Sequence, residues 1–147
     1  MSLKQSAILL VLAVLAVLAG NYMFGGSGRE AGTEAQNGPD GAPMVEIVLP
    51  AALSAAAQAG KRLYDEKCVS CHGRNAVGQE EVAPPLVHII YEPGHHGDES
   101  FQRAVALGVR AHHWRFGNMA PVEGLTREDV ALIVAYIREL QRANGIE

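Results

Sequence analysis

The chain has 147 residues and a formal net charge of −4, and aromatic residues make up only 5% of it. That length allows one domain with an appendage and excludes two ordinary domains; with no concentrated basic face, the charge excludes nucleic-acid binding. A domain of about 100 residues with so few rings has a thin core unless a large apolar cofactor fills it.

Residues 1–6 lead into an uninterrupted apolar run over residues 7–19, and Tyr22, Met23 and Phe24 come after Gly20 and Asn21. The run alone would span roughly 20 Å as a helix, and extended to Phe24 about 27 Å, against roughly 30 Å for a bilayer core. Lys4 ahead of it favours a cytoplasmic N-terminus and an exported remainder. Residues 1–24 therefore read as a membrane anchor or a signal peptide. Tyr22 and Phe24 look like an interfacial aromatic belt and favour the anchor, while Val17-Leu18-Ala19 has the small-x-small character of a cleavage site. Both readings place the rest of the chain on the periplasmic side; cleavage would leave it soluble there. Residues 25–46, Gly-rich and acidic, read as a flexible tether, and residues 47–147 as the globular domain.

The first predicted helix covers residues 55–67, with Ser54 as N-cap and Pro50 upstream. Gly60 in its middle costs roughly 1 kcal/mol against alanine, which points to a close helix crossing, and Tyr64 lies one turn further on the same face. Directly after it stand the chain's two cysteines, in the word Cys68-Val69-Ser70-Cys71-His72. C-x-x-C-H is the attachment signature of a c-type haem: two thiols add to the vinyl groups, and the histidine offers a nitrogen to the iron. The rivals are weaker. A redox dithiol belongs after a strand in a βαβ setting, and none precedes it; zinc needs four ligands, for which His112 and His113 would have to be recruited; a Cys68–Cys71 disulfide would close too short a loop to stabilise much.

A shorter helix is predicted over residues 99–108, capped by Asp98 or Ser100, with Phe101, Ala104 and Val105 inward. The last helix starts at Thr126, which with Asp129 imitates a capping box. Val130, Ile133, Val134, Ile137 and Leu140 recur at helical spacing, Arg138, Glu139, Gln141 and Arg142 are expected to face water, and Gly145 stops it. Its stripe is expected to meet the first helix, with Tyr136 packing near Gly60. No alternating run flanked by turns suggests a strand, so the domain is read as all-α, with long loops around one haem.

The sixth iron position decides between carrier and site of chemistry. Met119 is the one methionine of the globular part, in the loop Gly117-Asn118-Met119-Ala120-Pro121. A thioether there suits ligation, raising the potential and leaving no vacancy; a core-filling methionine is the bland alternative. His88, His95, His96, His112 and His113 are rival ligands, although loop contacts are the commoner use, with one reaching a propionate or a partner surface. His95-His96, between Gly94 and Gly97, reads as an exposed turn rather than a metal site.

In this order, Gly60-x-x-x-Tyr64, Cys68-x-x-Cys71-His72, Pro84-Pro85-Leu86, Met119, and a helix carrying Ile133 and Tyr136, the chain resembles class I cytochrome c over about residues 52–144. The resemblance implies crossing first and last helices, His72 and Met119 as axial ligands, the Pro84 carbonyl orienting the His72 ring, and Leu86 packing on the haem face. The chain departs from the family's small members in the histidine-rich stretch 88–96 and in His112-His113-Trp114-Arg115-Phe116, where Trp114 and Arg115 could donate to propionates. The function so implied is one-electron transfer between redox protein partners, with no small-molecule substrate. The alternatives are a haem subunit of a dehydrogenase or oxidase complex, and a ligand-binding haem whose sixth position opens.

Overall fold

The computed structural model describes residues 42–147. The proposed anchor over residues 1–24, and the tether up to residue 41, lie outside the described residues. Residues 42–46, expected to end the tether, lie along the domain: Met44 donates its amide to Val77 O and the Ala42 carbonyl accepts from Glu80 N.

Among the described residues four helices carry the fold: α1 (Ala55–Lys67), the short α2 (Val69–His72), α3 (Asp98–Leu107) and α4 (Arg127–Ala143). Two 3-10 turns, Arg74–Ala76 and Ile89–Tyr91, punctuate the loops. Among the described residues the only extended pairings are two isolated bridges, Gln79 with Ala83 and Val109 with Met119. The domain is all-α. None of its described helices is long and apolar enough to cross a membrane.

α1 begins where its cap predicts, the Ser54 side chain accepting from the Ala57 amide. α4 carries the full capping box: Thr126 Oγ1 accepts from Asp129 N, and Asp129 accepts from Thr126 N. The two helices pack across Gly60, where a Cβ would stand 1.8 Å from the Leu132 carbonyl oxygen. Gly60 thus faces the Leu132–Ile133 backbone, a turn before Tyr136. Tyr136 meets Tyr64 instead, edge to face, with ring centroids 5.5 Å apart. Behind the crossing sits the core, which includes Ala57, Tyr64, Ile133, Tyr136, Ile137 and Leu140.

Two expectations need correcting. The N-cap of α3 is Gly97, without a side-chain cap; Asp98 lies in its first turn instead. More consequentially, Arg138 and Gln141 are buried, Gln141 completely. The stretch from Val87 to Gly97 folds back over that side of α4, and its carbonyls need donors. Arg138 donates to Tyr91 O and His96 O, both at 2.6 Å, and to Asp98 at 2.9 Å. Gln141 Nε2 donates to Leu86 O and Tyr91 O. Periodicity alone cannot show that a loop will cover the polar side of a helix.

Candidate haem site

In front of the core lies a cavity of about 670 Å³, within the range of about 300–1,000 Å³ usual for cofactor sites. Its walls hold Cys68, Cys71, His72, Pro84, Leu86, Trp114 and Met119, all singled out for the cofactor. Arg115, expected as a propionate donor, is exposed and does not line it.

The thiols are delivered by the end of α1 and by α2, which turns directly beneath the cavity. Burial, aided by the neighbouring Cys71, pushes the Cys68 thiol up to about 11, so the position favours an uncharged sulfur such as a thioether. Behind the word, the chain adopts left-handed conformations at Asn75 and Ala76, and two buried tyrosines hold it there. Tyr64 OH donates to Gly73 O at 2.8 Å, and Tyr136 OH donates to Asn75 Oδ1 at 3.1 Å.

His72 Nδ1 lies 2.9 Å from Pro84 O. A carbonyl only accepts, so Nδ1 carries the hydrogen and Nε2 keeps its lone pair. Burial lowers the His72 pKa, opposed by that same bond, and the ring is neutral at pH 7. A neutral imidazole with one nitrogen fixed by a backbone carbonyl is a prepared metal ligand.

Met119 is fixed through its backbone. It exchanges two hydrogen bonds with Val109, each 2.9 Å, and the intervening loop is closed by Ala111 N donating to Asn118 Oδ1. Sequence reasoning missed this pairing, since one residue pair leaves no alternating pattern. Trp114 stacks on Phe116 and packs edge-on against His88. Its Nε1–H is buried beside the Tyr91 side chain without a hydrogen bond of good geometry, so it could still serve an acceptor in the cavity.

The lining also contains Lys67, Arg103 and Arg110, and no carboxylate. These cations went unread in the sequence because isolated basic residues on a helix end and a loop look like solvated surface. Apolar walls, three cations without a carboxylate and a C-x-x-C-H word suit a flat apolar ring that bears two carboxylates.

The cytochrome c family model matches residues 57–141. A shorter likeness, 56% identical over 39 residues, links the chain to a Cbb3-type cytochrome c oxidase subunit CcoP of Azospirillum brasilense. That segment is 23% of this chain and 13% of the relative, so the chain covers only a small part of the relative's length. No solved structure matches. The family match takes in α1, the cysteine word, the Pro84 loop, Met119 and nearly all of α4, and on that extent this chain belongs to the cytochrome c family and carries covalently bound haem c.

Proposed function

We propose that this protein is a one-electron carrier in which Cys68 and Cys71 anchor the haem while His72 and Met119 supply the axial ligands. When bound, haem c supplies an iron that takes up and releases one electron. The chain's own residues do the rest. Pro84 fixes the tautomer of His72 and so presents Nε2. The Val109 pairing holds Met119 at the cavity wall, where its thioether leaves no position vacant for an exogenous ligand. Lys67, Arg103, Arg110 and the Trp114 indole all line the cavity and would offer charge and a donor to the propionates. The observation that carries the reading is that His72 and Met119, far apart in the chain, line one cavity with both cysteines.

The ferric protein should show a sulfur-to-iron charge-transfer band, and Met119→Ala should abolish it while opening the ferrous form to carbon monoxide. A band that survives that substitution refutes the ligand assignment. Rapid carbon monoxide binding by the unaltered ferrous protein would instead favour a ligand-binding haem.

The likeness to an oxidase subunit supports a second reading, in which this domain delivers electrons within an oxidase complex. Co-purification with larger subunits separates that from a free carrier. Residues 1–24 would hold the domain at the periplasmic face of the membrane, and a tether would keep it at high effective concentration near its partners. Mass spectrometry of the mature protein tests this, since cleavage after Ala19 would remove residues 1–19.

A further inference from the structure

The loop leading to Gly97 and the loop between Val109 and Met119 meet at their histidines. His95 Nε2 and His113 Nε2 are 3.3 Å apart. One ring nitrogen from each of His95, His96 and His113 lies within 4.8 Å of the other two. His112 flanks the group, its ring centroid 4.3 Å from that of His113 and 5.8 Å from that of His96. Nothing in the haem site as described requires this gathering, and four imidazoles would repel one another if protonated. Desolvation, and then His112, His96 and His95, hold His113 below its ordinary pKa.

Two of the rings are already oriented. His96 Nδ1 is 2.6 Å from Ile90 O, and His112 Nδ1 is 2.9 Å from Arg110 O. Each carbonyl can only accept, so each Nδ1 carries its hydrogen and each Nε2 keeps a free lone pair. Histidine ligands to metals are held this way, with the second nitrogen on a backbone carbonyl. The support reaches deeper: the His96 carbonyl accepts from buried Arg138, which pins the loop to α4. The burial of Arg138, unexpected from the helical pattern, thus serves the placement of His96.

We propose that His95, His96 and His113 form a binding site for a first-row divalent cation of borderline softness, with His112 as a fourth imidazole. Neutral imidazoles suit copper, zinc and nickel, and among these Cu²⁺ binds tightest. The hard cations Mg²⁺ and Ca²⁺ want oxygen ligands, and the cluster offers none. With metal–nitrogen bonds of about 2.0–2.1 Å, tetrahedral ligands stand roughly 3.3–3.4 Å apart, a spacing His95 and His113 already have. His96, His112 and His113 also line the haem cavity, so the cation would sit beside the cofactor without using His72 or Met119.

The test is a titration of the full-length ferric holoprotein with Cu²⁺ in competition with a chelator of known affinity, combined with electron paramagnetic resonance. One equivalent should bind with nitrogen hyperfine structure. The His95→Gln/His113→Gln double variant should bind at least about tenfold more weakly, with circular dichroism unchanged. The single variant His95→Gln, at an exposed position, gives the same comparison should the double variant misfold. Equal binding by wild type and His95→Gln overturns the proposal, as does the absence of a bound equivalent in the wild type. A changed haem spectrum in the metal-free His95→Gln protein also overturns it, since the cluster would then be serving the iron.

Discussion

Met119 sits opposite Val109 in a two-residue pairing, and the residue before Val109 is as constrained as the pairing itself. Gly108 has φ 75° and ψ −178°, a backbone region almost reserved for glycine, and a Cβ there would lie 2.5 Å from the Met119 carbonyl oxygen. Gly108→Ala should therefore cost about 1–3 kcal/mol in denaturant unfolding. Because the clash falls on Met119 itself, the charge-transfer band should also weaken. Full stability with an intact band would mean that the sulfur is not held by this loop. At this scale the haem word was legible because its spacing is dictated by porphyrin chemistry, and Met119 because it is the one methionine of residues 47–147. Gly108, Arg103 and Arg110 were not legible. A strained glycine shows only in φ and ψ, and a rim cation shows only once other segments close the rim.

Helix ends and helix crossings were written in the chain, but loop coverage was not. Ser54, Thr126 and Asp129 announce their helices because capping chemistry is local. Gly60 announces a crossing, and Gly60→Ala should drive a methyl group into the Leu132 backbone, which cannot rotate away; a loss of about 3 kcal/mol or more is expected. Asp129 adds a pH dependence. The amide and then the hydroxyl of Thr126 hold its carboxyl below the ordinary value. A depressed folded pKa means that the contribution is complete above the unfolded value near 3.9 and is lost as pH falls through the folded one. The stability gap between wild type and Asp129→Ala should thus be constant near neutrality and narrow below about pH 4. Arg138 is the counter-example, since its place in the helical repeat says solvent while its partners say interior. Arg138→Met strands the His96 carbonyl and Gln141 Oε1 and takes one of two donors from the Tyr91 carbonyl, and should cost about 2–4 kcal/mol. Exposed Arg142→Met should stay within about 0.5 kcal/mol.

The molecule as a whole has half a core of its own. Behind the helix crossing the packing is complete, but Ile133 and Ile137 present themselves both to that core and to the cavity in front. The cavity of about 670 Å³ opens to water and is walled largely by apolar side chains, so a flat apolar cofactor seated there would add the packing that the front of the domain lacks. The Cys68→Ser/Cys71→Ser variant removes the covalent attachment; Cys68 caps α1 and α2 through its backbone alone, so those caps and the crossing at Gly60 are kept. It should retain helical far-ultraviolet dichroism, since capping and helix periodicity are local, yet lose its near-ultraviolet signal and its cooperative unfolding transition, since the cavity walls must collapse or mix with water. A colourless double variant that still unfolded in one sharp transition would show that α1 and α4 suffice by themselves, and that the cavity is a feature the protein tolerates rather than one its cofactor completes.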